Sequence, residues 1–216
     1  MTMQTQINTV WSNEWSSSPE LQAIFGHRLF VEGYPIFSKY IPKEAKSLLD
    51  VGAGTGRYGL SFAKNFPEMH VTLTDIVDES LLQIEKYRTE MQLTNTTIQK
   101  ENALALTFQN DTFDVVFCDV VIQHLPEYKS AFREFVRVLR PGGTLIVSVN
   151  NFWNIPHSLY KFVHKLIGIP YRYGYERSFT RGELCRMAEE SNLDVHELDG
   201  FYFAYGVYRW KEHYSI

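Results

Sequence analysis

The sequence predicts one α/β domain: a mostly parallel sheet with helices on both faces. Three observations carry that prediction. Strand-like and helix-like patterns alternate through the middle of the chain, as strands joined by crossover helices require. A glycine-rich turn separates the first of these strands from the first helix, and an acid closes the strand that follows. The 216 residues suffice for one full core without disulfide or metal staples.

The elements follow in order. Residues 1–46 read as a helical lead-in or cap, with breaks at Gly33, Pro35 and Pro42. Residues 47–51 form a short buried strand, 57–66 a helix stopped by Pro67, and 70–75 a second strand. Residues 78–91 form an amphipathic helix whose Leu81, Leu82 and Ile84 pack on the sheet. A β-branched strand at 97–101 and an apolar strand at 113–118 come next, with Asp114 as a strand-start turn residue. Residues 127–139 form a helix that buries Phe132, Phe135 and Val136. Pro141-Gly142-Gly143 turns the chain into a fifth strand at 144–149. These elements make residues 47–150 the core.

Beyond residue 150 the aromatic density roughly doubles. Residues 157–167 predict an amphipathic helix and 171–175 a loop. A helix over 180–191 opens on Thr180 with Glu183 three residues on, a capping box. Residues 193–198 and 201–210 read as two strands joined at Asp199-Gly200, and so tight a turn makes them antiparallel.

Composition excludes several classes. Hydrophobic residues are 44% and charged residues 21%, values of an ordinary globular chain. A net charge of -4 argues against a dedicated nucleic-acid binder. The two cysteines, Cys118 and Cys185, are too few for a disulfide framework or a cysteine-rich zinc site. No secretory signal and no run of 18 apolar residues is present, so a cytoplasmic protein without stable membrane insertion is expected. The Asn-x-Ser/Thr matches at Asn95 and Asn110 then read as chance. His157 and His164 are too far apart for a shared ligand face, and no metal site is expected.

The most informative segment is Asp50-Val51-Gly52-Ala53-Gly54-Thr55-Gly56. Glycines there permit positive φ and leave no Cβ where a ligand presses on the backbone. The helix that follows offers free N–H groups and a positive dipole end. Asp75 ends the next strand, where an acid can accept both hydroxyls of a ribose. Two nucleotide chemistries fit this loop. Gly54-Thr55-Gly56-Arg57-Tyr58-Gly59 also satisfies the dinucleotide fingerprint, though offset along the chain, which keeps a nicotinamide-dependent oxidoreductase open.

Four segments together resemble the class I S-adenosylmethionine-dependent methyltransferases. Asp50-x-Gly-x-Gly-x-Gly resembles their motif I. Phe113 to Leu125 resembles their fourth-strand motif, and Arg137-Val138-Leu139-Arg140-Pro141-Gly142-Gly143-Thr144-Leu145 the turn before their fifth strand. Phe179-Thr180-x-x-Glu183-Leu184 resembles a helix start of the small-molecule, quinone-biosynthesis-like branch. The resemblance is strong over 47–149 and looser elsewhere. It implies a Rossmann-like sheet of seven strands in the order 3-2-1-4-5-7-6, one of them antiparallel, with 193–216 as the C-terminal hairpin.

The resemblance also implies site roles, with S-adenosyl-L-methionine as methyl donor. Asp50 and the loop Gly52, Ala53, Gly54, Thr55 and Gly56 would hold its methionine end. Asp75 would take the ribose hydroxyls and Ile76 the adenine face. Asn102 and Ala103 follow the third strand where relatives often have an aspartate. Cys118, Asp119 and Val120 would lie beside the methionine amino group, with Cys118 read as a small buried hydrophobe rather than a reactive thiol. Arg28, with His27 and Tyr34, could fold over the donor. His124 is the candidate base, because its unperturbed pKa suits the task, and His157 and Tyr175 are weaker candidates. A non-catalytic donor-binding module is the other alternative.

The acceptor pocket would be built by the lead-in and by the insert 151–192. The acceptor is expected to be a small molecule, with Trp153, Tyr175 and Arg177 as contacts, on a monomer or homodimer. An anionic group on it could meet Arg172 or Arg177. Leu159, Phe162, Val163 and Leu166, flanked by Lys161 and Lys165, could instead touch a membrane. The favoured reading of that helix is a face packed on the core with its basic side solvated.

Overall fold

The computed structural model describes residues 3–17, 19–169 and 171–201. Five parallel strands lie in the order β3-β2-β1-β4-β5: β1 (Ser47–Val51), β2 (His70–Asp75), β3 (Thr96–Lys100), β4 (Phe113–Asp119) and β5 (Leu139–Ser148). The connecting helices are α4 (Arg57–Asn65), α5 (Asp78–Glu90) and α6 (Tyr128–Val138). They follow α1 (Met3–Trp15), α2 (Leu21–Gly26) and α3 (Arg28–Ser38), and precede α7 (Ile155–Leu166) and α8 (Arg181–Glu190).

The sheet is buried on both faces, which is why β1 and β4 read as continuous apolar runs. Successive residues point to opposite sides. Leu48 and Phe117 join the cluster under α4 and α5, with Phe62, Leu73, Ile84 and Tyr87. Leu49, Val116 and Cys118 join the cluster under α6, with Phe135 and Val138. Asp114 is the structural residue expected. One of its carboxylate oxygens accepts from the backbone N–H groups of Lys46 and Ser47, and the other pairs with Arg140 at 2.6 Å. The capping box on α8 is present: Glu183 N–H donates to Thr180 Oγ1, and Thr180 N–H to Glu183 Oε2.

Several expectations are corrected. Gly33 and Pro35 do not break the lead-in but lie inside α3; the break falls between Gly26 and Arg28. Tertiary packing decides this, since a Cβ on Gly33 would sit 2.7 Å from the Tyr58 hydroxyl. Leu82 is exposed, while Ser80, Ile84 and Tyr87 form the buried face of α5. Pro141-Gly142-Gly143 is not a turn ahead of β5 but a bulge within it: Phe113 pairs with Leu139, yet Val115 pairs with Thr144.

The described residues carry five strands rather than seven, and none is antiparallel. Residues 193–198, read as a strand, make no sheet pairing and leave Val195 and Leu198 exposed. Leu193 packs on the cluster under α6, and only the end of the segment reaches α3, where Lys39 meets Glu197 at 3.7 Å and Asp199 at 2.8 Å and Phe201 packs edge-on against Phe37. The remainder of the second proposed strand, 202–210, lies outside the described residues. The apolar face of α7 is not packed on the core either; that helix buries His157, Tyr160 and His164 and exposes Leu159, Phe162 and Leu166.

Candidate functional site

The site begins where the strand order reverses. β1 sends its crossover to β2 on one side and pairs with β4 on the other, so the chain diverges at the C-terminal ends of β1 and β4 and leaves a crevice there. Asp50, Asp75 and Asp119, from β1, β2 and β4, all line that crevice. Parallel strands end in register, so acids near their C-terminal ends are brought to one rim.

Each carboxylate is tied to backbone or neighbour. Asp50 Oδ2 accepts from Gly59 N–H at 3.1 Å. Asp75 accepts from Gly54 N–H at 2.9 Å and from Val77 N–H at 3.1 Å. Asp119 accepts from the Ser148 hydroxyl and faces Arg57 Nη2 at 3.8 Å. Burial, reinforced by the Asp119 carboxylate, pushes Asp50 up to about 8. Burial also raises Asp75 and Asp119, the latter against the opposing charge of Arg57. Among the described residues lining the crevice, Arg57 is the one arginine or lysine, against these three aspartates and Glu101. The crevice therefore favours a cation.

The loop between β1 and α4 is built for close approach. Gly54 has a φ of +57°, and a Cβ there would meet Trp15 at 2.9 Å. Gly59, the last glycine of the dinucleotide-like match, serves packing: its Cβ would lie 2.6 Å from Asp50 Oδ2. Val120, one residue past β4, holds a φ of +51°, a costly conformation for a β-branched side chain. Its N–H donates to Ser148 O at 3.0 Å, and it lines the crevice. Backbone strain beside converging acids is the pattern of a functional site.

A cover closes the crevice. Trp11 and Trp15 of α1 stack at 6.0 Å and line it. α1 is fastened on two sides. On one, the Ser12 hydroxyl donates to Glu79 at 2.6 Å, and Gln83 donates to the carbonyls of Trp15 and Ser17. On the other, Glu14 pairs with Arg172 at 2.7 Å, and Trp11 stacks on Tyr173 at 5.5 Å. The cavity beneath measures about 170 Å³ and opens into a groove at Trp11, Arg57, Val120 and His124.

Most of the expected donor residues meet there. Asp50, Gly52, Ala53, Gly54, Thr55, Asp75, Ile76, Asn102, Ala103, Asp119, Val120 and His124 all line the one cavity. Gly56 and Cys118 do not. Gly56 caps α4 in the left-handed region, and Cys118 is core, its thiol pushed up by burial. The Asn102 side-chain oxygen accepts from Leu104 N–H at 3.0 Å, turning the chain after β3.

The arrangement matches a known family. The methyltransferase-domain family matches residues 42–171, more than half of the chain. The chain belongs to the S-adenosylmethionine-dependent methyltransferases. A ubiquinone biosynthesis O-methyltransferase of Coxiella burnetii is 25% identical over 183 residues, covering 78% of this methyltransferase and 74% of that protein. A demethylmenaquinone methyltransferase of Listeria monocytogenes is 28% identical over 158 residues, 72% of this chain and 66% of that one. In fold, the methyltransferase superposes on Haemonchus contortus phosphoethanolamine N-methyltransferase 2, solved with S-adenosylhomocysteine, at a TM-score of 0.68. The identity is 19%, with 98% of this chain and 49% of that one covered.

Beside His124, where the cavity meets the groove, lie groups that the sequence did not announce. Glu176 is a carboxylate with 2% of its side chain exposed. It meets His157 Nε2 at 2.8 Å, Lys161 Nζ at 3.1 Å, the Tyr171 hydroxyl at 3.1 Å and His124 Nε2 at 3.8 Å. Burial would raise its pKa; the His157 hydrogen bond and the charges of His124, His157 and Lys161 bring it down instead, to about 2. His124 Nδ1 lies 3.0 Å from the Tyr175 carbonyl, so that nitrogen carries a proton. Gln123, whose Oε1 accepts from Asn150 N–H, presents its amide nitrogen to His124 Nε2 at 3.3 Å.

The other expected contacts are placed differently. Arg177 pairs with Glu183 at 2.8 Å and lies over the rings of Tyr128 and Phe179, so it serves the scaffold. Arg28 pairs with Glu32 on the exposed side of α3, and Arg172 pairs with Glu14. Tyr34 packs on Phe62 in the core. Trp153 lines a groove that also reaches His124, Trp11 and Arg57. Sequence reasoning missed Trp11, Trp15, Arg57 and Glu176. Arg57 had a readable signal, a cation at the N-terminus of a helix where the dipole disfavours one; Glu176 had none.

Proposed function

We propose that this methyltransferase transfers a methyl group to an oxygen, nitrogen or carbon atom of a small, apolar or aromatic acceptor. The observation that carries the donor half is the set of three buried aspartates around one cavity. A sulfonium with an ammonium group suits it, whereas the pyrophosphate of a nicotinamide dinucleotide would meet repulsion at the same rim. When bound, the donor supplies a methyl on a positively charged sulfur that departs as a neutral thioether.

The chain's own residues then divide the work. Asp75 accepts the ribose hydroxyls, and Ile76 lies against the adenine, with Asn102 and Ala103 at its edge. Asp50 and the loop from Gly52 to Gly56 hold the methionine portion. Arg57 meets its carboxylate, and Asp119 with Val120 faces its ammonium group. Trp11 and Trp15 exclude water. Such alignment in a closed site is worth about 7–11 kcal/mol of the barrier.

The acceptor half rests on the groove that joins the cavity at Trp11, Arg57, Val120 and His124. The relatives named for ubiquinone and menaquinone biosynthesis support a ring-bearing acceptor. For a hydroxyl acceptor, His124 takes the proton at Nε2 once the acceptor displaces the Gln123 amide there, and the ionised Glu176 3.8 Å away stabilises the cation formed.

Calorimetry with S-adenosylhomocysteine and with NAD tests the donor reading: binding of the first alone is expected, and binding of NAD alone overturns it. Transfer of labelled methyl into a lipid extract is expected to give a labelled quinol-like product. Donor binding with no transfer to any extract would make the chain a binding module instead. A His124→Ala variant with full turnover would remove the base assignment.

A further inference from the structure

α7 is built inside out. Its buried side carries His157, Tyr160 and His164, positions that share one face and pack toward Glu176 and Tyr171. Its solvent side carries Ile155, Leu159, Phe162 and Leu166, spaced four, three and four residues apart on the opposite face. Trp153 and Ile169 extend that ridge at either end of the helix. Exposure reaches 68% at Trp153, 61% at Phe162 and 74% at Leu166. An ordinary surface helix would place these residues on the core. Here the internal ion cluster occupies the core side, and the ridge is left as a contiguous apolar surface of the kind that marks an interaction site.

Charge identifies the partner. The whole chain carries a net -4, yet residues 151–186 hold six basic residues against two acidic ones. Glu176 pairs with Lys161, Glu183 with Arg177, and Arg172 with Glu14, which leaves the exposed Lys165, Arg181 and Arg186 outside these pairs. Lys165 stands exposed one residue before Leu166. An apolar ridge with exposed aromatic residues at one end, within a basic segment of an acidic protein, fits the boundary of an anionic bilayer, where apolar side chains enter the acyl region and lysines meet headgroups. No described helix is long and apolar enough to cross a membrane, so the contact is peripheral. The groove past Trp153 and Asn154 runs from the foot of this ridge to His124.

We propose that the outward face of α7 docks the protein on an anionic lipid surface and opens the acceptor groove toward it. This goes beyond the small-molecule reading, because docking needs neither the donor nor turnover. The test is sedimentation of the full chain with phosphatidylcholine vesicles and with mixed phosphatidylcholine–phosphatidylglycerol vesicles, for the native protein and for Phe162→Glu/Leu166→Glu. Both substituted side chains are solvent-exposed, so fold and S-adenosylhomocysteine affinity should be unchanged. The native protein is expected to pellet with the mixed vesicles and much less with the neutral ones. The double variant is expected to lose at least about tenfold in partitioning. Failure to pellet at low salt overturns the proposal, as does a variant that partitions like the native chain. A native dimer that the double variant dissociates also overturns it, since a second copy would then cover the face. The donor titration reports separately on the reading of the cavity.

Discussion

The donor wall and the acceptor wall of this site solve the burial of charge in opposite ways. On the donor wall, Asp50, Asp75 and Asp119 sit at strand ends with raised pKa values and a single arginine for company. On the acceptor wall, Glu176 is as deeply buried, yet two histidines, a lysine and a tyrosine surround it and hold it ionised. The first arrangement is electrostatically incomplete and suits a cationic ligand. The second is complete and works as an anchor. Buried charge signals a ligand site where its partners are missing and a scaffold where they are present.

The sharpest way to break this contrast is Glu176→Ala. Removing the carboxylate leaves the buried His157 and the half-buried Lys161 without it, and an unfolding titration should show a loss of about 3–5 kcal/mol. Affinity for S-adenosylhomocysteine should change less than about threefold, since Asp75 keeps its hydrogen bonds from Gly54 and Val77. An equal collapse of donor affinity would show that the two walls are one unit. Asp75→Ala should do the reverse, lowering S-adenosylhomocysteine affinity about 100-fold or more through lost charge-assisted hydrogen bonds. Undiminished affinity in a calorimeter would contradict the ribose assignment.

A pH series sharpens the contrast further. The folded-state pKa of Asp50 is raised to about 8, above its unfolded value. Its contribution to stability is therefore full below about pH 4 and is lost as pH rises through 8. A cationic ligand favours the ionised form. Donor binding at pH 7 should thus release a proton, and affinity should climb between pH 6 and 8 by at most about tenfold per unit. Calorimetry in two buffers of different ionisation heat reads the proton directly; zero release would mean that Asp50 is already ionised in the empty cavity. The smallest effect belongs to Arg172→Ala. Its ion pair with Glu14 is exposed and should contribute about 0.2–1 kcal/mol, all of it to the seating of α1. Donor dissociation should quicken a few-fold by stopped flow, with overall stability unchanged.

The same division governed what could be read from the sequence. The donor wall is made of consecutive residues on strands with strong local signatures, and β1 and β2 fall where the pattern puts them. Asp50 stands two residues before the glycines that identify it, and Asp75 and Asp119 each close a strand. The acceptor wall is assembled from residues far apart in the chain, and no local pattern marks Glu176 as the centre of a cluster. α7 was misread for a physical reason: periodicity locates an apolar face but not the direction in which that face points. Gly33 and Pro35 were misread because contact with Tyr58 and Phe37 outweighs propensity. Residues 193–198 open with the alternation of a strand, but Leu193 packs on the cluster under α6 and Glu197 turns to Lys39, so the segment pairs with no described strand.

The seating of α1 has a kinetic consequence. Trp15 presses on Gly54 at the donor loop, while Trp11, on the same helix, rests on His124 and Tyr173 at the acceptor groove. The space beneath is about 170 Å³, short of the roughly 300 Å³ at which ligand pockets begin. This helix roofs both the cavity and the groove that opens from it, so a ligand that displaces Trp15 also moves part of the groove's wall. If the roof seats on the sulfur compound before the second substrate enters, product inhibition should show an ordered cycle, with that compound first on and last off.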